Sequence, residues 1–240
     1  MANKRTYGDA CGVARALDLV GDRWALLLVR ELLLGPKRFT DLRAGLPQVS
    51  PDVLSQRLTE LEQAGVLRRR KLDPPAGSRV YELTDRGDGL EPVILALGRW
   101  GSRAPFPPGE PRLSADALAI ALMTVFDPVA AGDLAASWEL RLGEDRFSIV
   151  IADGQIILSR GGAGAPDATI ETDAGTLARL LWHDHPLEQA LSSGTIRIDG
   201  SRPSVKRLLG LFPLCRSDQN PGRRPAPDGP SRRPARHRPL

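Results

Sequence analysis

Residues 50–70 read SPDVLSQRLTELEQAGVLRRR, and how this stretch folds decides the first half of the chain. Ser50 offers a side-chain acceptor for a helix N-terminus, and Pro51 fits the first helical position, where a missing N–H costs nothing. Gly65 stands where a left-handed cap ends a helix. Between them Leu54, Leu58 and Leu61 share one face at helical spacing, while Asp52, Gln56, Thr59 and Gln63, flanked by Ser55, take the other. The outer face is therefore amide and hydroxyl, not the Glu/Lys lattice of an ordinary solvated helix. Gln pairs bidentately with adenine, and Ser and Thr bond to bases or phosphate, so such a face suits a major groove.

Working outward, residues 40–44 read as a short helix ended by Gly45 and Pro47. Before it, Asp22 is expected to cap a strongly apolar helix through Leu34 that stops at Gly35-Pro36, and residues 10–20 carry Val13, Leu17 and Val20 at helical spacing. After Gly65 the period changes. VLRRRKL and SRVYELT are strand-like runs separated by Asp73-Pro74-Pro75-Ala76-Gly77, which is turn chemistry, so a basic β-hairpin is predicted. Thr84 is then expected to cap a helix with Leu90, Val93, Ile94 and Leu97 at helical spacing and Trp100 near its end.

A short helix, a tight turn, a longer capped helix and a basic hairpin, in that order, make a winged helix-turn-helix. Cations lie where phosphates would: Arg38 and Arg43 near the first helix, Arg57 on the second, Arg68, Arg69, Arg70, Lys71 and Arg79 on the hairpin. The candidate DNA-contacting residues are Arg38, Thr40, Arg43, Ser50, Ser55, Gln56, Arg57, Thr59 and Arg79. Polar helix faces and basic hairpins also occur in proteins that bind no nucleic acid, and it is the order of the elements that favours DNA. Asp52 and Glu60 work against generic polyanion binding and suit a reader that penalises wrong sequences.

The 240 residues suffice for two domains, and 41% apolar with 26% charged residues is the composition of an ordinary globular protein. No apolar run reaches the ~20 residues of a membrane span, and the N-terminus has no signal-peptide core, so a cytoplasmic protein without membrane association is expected. Two cysteines, Cys11 and Cys215, fit a reducing compartment rather than a disulfide framework. Residues 1–110 carry 17 Lys/Arg against 14 Asp/Glu, residues 111–215 carry 9 against 13, and residues 216–240 carry 7 against 2. The basic balance thus comes largely from the tail, which should not be mistaken for the functional surface; it either adds non-specific DNA affinity or is a solvated end.

The proline-rich RAPFPPGEPR, residues 103–112, reads as a linker. Expected domains are residues 1–105, a winged helix-turn-helix; 113–214, an α+β domain; and 215–240, a disordered Arg/Pro-rich tail. In the second domain Ser114 caps an apolar helix to about Phe126. SWELRL, FSIVI, QIILS, ATIET and GTIRID read as strands, with Asp153-Gly154 as a hairpin turn. AGTLARLLW (capped by Asp173), LEQALSS and SVKRLLGLF read as helices. Antiparallel strands with helices against one face are predicted.

Over residues 8–103 the chain resembles the HxlR-type winged helix-turn-helix transcriptional regulators. The matching residues are Cys11, Gly21-Asp22-Arg23-Trp24, Arg38-Phe39-Thr40-Asp41-Leu42, Ser50-Pro51 with Leu54 and Arg57-Leu58, and Tyr81-Glu82-Leu83-Thr84. Gly12 stands where the family usually has proline, and the basic run of the first wing strand is unusually dense. The resemblance implies a homodimer on operator DNA, the Ser50 helix in the major groove and the wing around Arg79 at the backbone or minor groove. Cys11 becomes a candidate redox or electrophile sensor, as the early cysteine is in some relatives; a buried inert cysteine is the commoner case.

Residues 138–214 more faintly resemble the sterol-carrier-protein-like domains, through ADGQIILSRGG, PDATIETDAGTLARLL and LSSGTIRIDGSRPSVKRLLGLF. That resemblance implies an apolar cavity and a small hydrophobic effector. No metal or cofactor is expected: His183 and His185 do not share a helix face, and RGGAGAP lacks the Lys-Ser/Thr of a phosphate loop. No nucleophile elbow or singled-out carboxylate pair supports an enzyme. A ligand-responsive transcriptional regulator is the main reading. The alternatives are a lipid or hydrophobic-ligand carrier module whose first half is an interaction platform, or an enzyme with its pocket in the second domain.

Overall fold

The first half runs α1 (Gly12–Val20), α2 (Ala25–Leu32), α3 (Phe39–Gly45), α4 (Pro51–Gln63), β1 (Leu67–Lys71), β2 (Arg79–Leu83), α5 (Asp85–Asp88) and α6 (Glu91–Gly101) in a computed structural model that describes residues 6–73, 77–105 and 113–213. The tail from residue 215 and most of the 103–112 linker lie outside the described residues. Leu28, Val29 and Leu32 of α2 pack with Leu42 of α3 and with Leu54, Leu58 and Leu61 of α4 into one buried cluster. The three α4 leucines hold the helix by its inner face, and truncating one to alanine would cost about 2–5 kcal/mol. The apolar stripe of α1 behaves differently: Val20 is buried, but Val13 and Leu17 are exposed.

Two helix boundaries differ from expectation. Asp22 does not cap α2; the cap position is Trp24, in left-handed backbone with φ +80° and no side-chain cap bond. The Asp22 carboxylate is taken by Arg57 at 2.6 Å, and only its backbone carbonyl accepts from the Ala25 N–H at 3.1 Å. The Arg23 guanidinium lies over the Trp24 ring at 4.9 Å, offsetting part of that strain. Thr84 caps only α5, its hydroxyl accepting from the Gly87 N–H at 3.3 Å. The helix then restarts as α6 with Pro92 in its first turn, because proline has no N–H to continue the ladder and disfavours helix at the residue before it.

The second half runs α7 (Ala115–Val125), α8 (Pro128–Ala131), β3 (Ala136–Leu142), β4 (Asp145–Ala152), β5 (Gln155–Arg160), β6 (Ala168–Thr172), α9 (Ala174–Trp182), α10 (Leu187–Ser192), β7 (Arg197–Gly200) and α11 (Arg202–Leu209). Its sheet has the order β5-β4-β3-β6-β7. Asp153 and Gly154, at φ +52° and +69°, make the positive-φ hairpin turn between β4 and β5. The expected all-antiparallel sheet is corrected at its centre, where β3 and β6 are parallel. The cause is the glycine-rich stretch after β5, which carries the chain back across the sheet so that β6 starts at the same end as β3. There the Ser137 carbonyl accepts from the Asp167 N–H at 2.9 Å.

Trp138, Leu140 and Leu142 of β3 and Phe147, Ile149 and Ile151 of β4 face α7, α9 and α11 in a second buried cluster. Helix α7 serves both halves. Leu118, Leu122 and Val125 join the second cluster, while Ile120 joins the first.

Candidate nucleic-acid interface

Local chemistry presents α4 outward. The Ser50 hydroxyl accepts from the Val53 N–H at 3.4 Å, opening the helix with Pro51 behind it. At the other end Gly65, at φ +67°, lets the Val66 N–H reach the Leu61 carbonyl at 2.9 Å and its own N–H reach Glu62 at 3.0 Å, a Schellman ending. The Thr84 hydroxyl donates to the Gly65 carbonyl at 2.6 Å, and Arg86 donates to that of Ala64 at 2.8 Å. The end of α4 is thereby tied to the far side of the hairpin.

Ser55, Gln56 and Thr59 are exposed on the outer face. The Gln56 amide donates to Glu60 at 2.9 Å, and the Thr59 hydroxyl donates to the Ser55 carbonyl at 3.0 Å. Both are solvent-side bonds that a base edge can replace. Arg38, Thr40 and Arg43 are exposed at the start and end of α3, and Arg38 gives its backbone N–H to Asp41 at 3.0 Å.

The candidate cations divide into two sets. Arg57 is paired within the protein: its side chain is 17% exposed and binds Asp22 at 2.6 Å and also Glu60. It locks the α1–α2 turn onto α4. Arg68 and Arg70 both donate through Nε to Glu82, at 2.7 Å each. Burial alone would raise the Glu82 carboxyl, but those two hydrogen bonds outweigh it and hold its pKa below the ordinary value. Arg69 pairs with Glu62 at 3.0 Å and lies over the Tyr81 ring at 5.5 Å. Among the described residues Arg38, Arg43, Lys71 and Arg79 take part in no ion pair. Lys71 and Arg79 also sit directly across from each other in the hairpin, a like-charge pair that destabilises unless an anion lies between or beside it.

Sequence reasoning missed what holds this unit to the rest of the chain. Lys37, the residue before Arg38, pairs by backbone with Tyr81 of the wing, N–H to carbonyl at 2.9 Å and 2.8 Å. Its ammonium reaches Glu31 at 2.8 Å and Asp116 of α7 at 2.6 Å. Asp116 in turn accepts from Arg160 of β5 at 2.5 Å. The Ser114 hydroxyl, which caps α7, also donates to Glu31 at 2.7 Å. Burial pushes the Glu31 carboxyl up, yet the neighbouring Lys37 and Arg30 charges, with hydrogen bonds from Lys37 and Ser114, hold its pKa below the ordinary value. Positive and negative groups alternate through this seam, so each buried charge is compensated. Cys11 is exposed at the cap of α1, its N–H donating to Asp9 at 2.8 Å.

A buried-core helix pair, an outward helix whose face is rich in amide and hydroxyl groups and a cation-tipped hairpin define a DNA-binding winged helix-turn-helix protein. Residues 19–105 match the HxlR-like helix-turn-helix family. The HTH-type transcriptional regulator YvaP of Bacillus subtilis is 39% identical over 88 residues, 37% of this chain and 82% of YvaP. YodB of the same organism is 34% identical over 88 residues, 37% of this chain and 79% of YodB. Rv3095 of Mycobacterium tuberculosis is 39% identical over 108 residues, 45% of this chain and 66% of Rv3095. Among solved structures, the redox regulator HypR in its oxidized form superposes with a TM-score of 0.38 at 31% identity, covering 40% of this chain and 100% of HypR. The chain belongs to the HxlR-like helix-turn-helix family of transcriptional regulators.

Proposed function

We propose that two copies of this chain bind a pseudo-palindromic operator, each laying α4 in a major groove and resting its hairpin on the flanking backbone. The observation that carries this is the outer face of α4, Ser55, Gln56 and Thr59, with Arg38, Arg43, Lys71 and Arg79, which take part in no ion pair among the described residues, on the elements before and after it. Arg57 is left out of the contacting set. For the second copy, Val13 and Leu17 on α1 and Val93 and Trp100 on α6 are all exposed and at helical spacing. Such exposed apolar stripes mark contact surfaces. Two-fold symmetry then spaces the half-sites by about one helical turn or a multiple of it.

The second half is read as the regulatory part, because α7 packs into both cores and the Glu31–Lys37–Asp116 seam passes through it. Its resemblance to sterol-carrier-protein-like domains makes a small apolar molecule the effector class. The carrier reading would need a cavity larger than the about 10 Å³ found among the described residues Leu140, Ile149, Ile170 and Phe212.

The test is a gel-shift series with selected operator and its single-base variants. Gln56→Ala should lose about 1–3 kcal/mol of preference at one base position. Arg79→Ala should weaken every sequence alike and lower the salt slope by about 1. If Gln56→Ala leaves the preference intact, α4 is not the reading element.

A further inference from the structure

A cleft of about 420 Å³ opens where α2, α6, α7 and α9 meet. That is the size of a small-molecule site, whereas about 10 Å³ is left among Leu140, Ile149, Ile170 and Phe212 of the sheet domain. Leu26 and Leu27 of α2, Leu97 of α6, Ile120 and Ala121 of α7 and Trp182 of α9 form most of its wall. One strongly polar side chain lines it, Arg30. The Arg30 Nη2 donates to Glu31 at 2.8 Å, but its Nε is buried and has no hydrogen-bond partner among the described residues. The Arg30 side chain is nevertheless 22% exposed and Glu31 takes one of its five N–H donors, so its cationic head keeps donors for an acceptor in the cleft.

We infer that this cleft is a binding site for a small apolar molecule bearing one anionic acceptor, its chain along the α2, α6 and α7 side chains and its acceptor on Arg30. A carboxylate of medium chain length has that chemistry: the apolar wall takes the chain, and the cationic side chain takes the head. The site has a route to the DNA-binding face. Arg30 touches Glu31, Glu31 and Asp116 hold Lys37, and Lys37 is paired to the wing and directly precedes Arg38. A ligand that draws on Arg30 or separates α2 from α7 binds one arrangement of that chain better than the other, which is what a shift in DNA affinity requires. This last step rests on the reading of the protein as an effector-modulated regulator; the binding site itself does not.

The experiment is isothermal titration of the full-length protein with octanoate and with 1-octanol, which has the same chain and no charge. Wild type should bind octanoate saturably, one per chain. Arg30→Met, which keeps the stem and removes the donors, should weaken octanoate about tenfold or more while leaving 1-octanol within about twofold. Ala121→Phe should remove binding of both probes. If that variant does not fold, Gly101→Leu obstructs the cleft instead, at a position where an added Cβ meets nothing within 4 Å. The site is refuted if octanoate does not saturate, or if neither Arg30→Met nor the obstructing variant changes its affinity. It is also refuted if the obstructing variant alters the dimer equilibrium in sedimentation but not octanoate binding, which would assign the cleft to a second copy. Operator affinity with and without octanoate separates the two levels. Binding through Arg30 with unchanged operator affinity keeps the site and removes its regulatory role.

Discussion

The sheet domain closes upon itself, with Trp138, Phe147, Leu140 and Ile149 buried against α7, α9 and α11, and its large exposed apolar residues, Val129 and Ile157, are isolated. The winged half is as tightly filled inside, through Leu28, Leu42, Leu54 and Leu58, yet leaves Val13 at 69% and Trp100 at 73% exposure within helical stripes. Both halves obey the same packing rules, so the difference lies in what is left over. Scattered exposed apolar residues need no explanation, while stripes call for a partner. Between the two halves runs the seam of buried charges, which ties the hairpin and the start of α3 to α7 and β5 through Lys37 and Asp116.

The largest effect is expected at that seam. Lys37→Met should cost about 3–5 kcal/mol in urea unfolding, because it leaves the Glu31 and Asp116 carboxylates buried with fewer partners. A loss below 1 kcal/mol would show the halves to be independent. Next, Leu17→Glu together with Trp100→Glu should raise the dimer dissociation constant about thirtyfold, about 2 kcal/mol, in sedimentation, whereas Val129→Glu should not. Equal behaviour of the two variants would erase the contrast between stripe and isolated residue.

A smaller effect is expected in acid. The Glu31 pKa is held below its ordinary value of 4.5. Its stabilising contribution is therefore present above about pH 4.5 and is lost as the pH falls through the lower folded value. Glu31→Gln should flatten the acid limb of a stability-versus-pH curve. A wild-type curve whose acid limb is unchanged by that substitution would remove Glu31 from the seam's energetics.

Much of the first half is legible because its signals are local. Ser50, Pro51, Gly65 and the leucine spacing specify α4 within one turn at each end, and Thr84 and Ser114 mark caps by their own side chains. The relations between distant residues are not legible in that way. Arg57 reads as a free cation until the α1–α2 turn brings Asp22 beside it. Arg68 and Arg70 look like free cations until the hairpin register sets both beside Glu82. A signal for the seam was present in WALLLVRELLL and SADALAIAL, where a lone acid sits among apolar residues and must find a cation once buried. Which cation it finds depends on packing between residues 79 positions apart, Lys37 and Asp116. The parallel β3–β6 pair was hidden for a similar reason, since strand patterns do not reveal on which side of a sheet the chain returns.

The most direct measurement is selection of DNA by the full-length protein from a random pool, followed by sequencing. The expected result is one enriched motif with two inverted half-sites centred about 10 base pairs or a multiple of that apart, as two copies of α4 on a dyad require. Enrichment of a single unsymmetrical site, or no enrichment over the input pool, would contradict a dimer that reads DNA through α4.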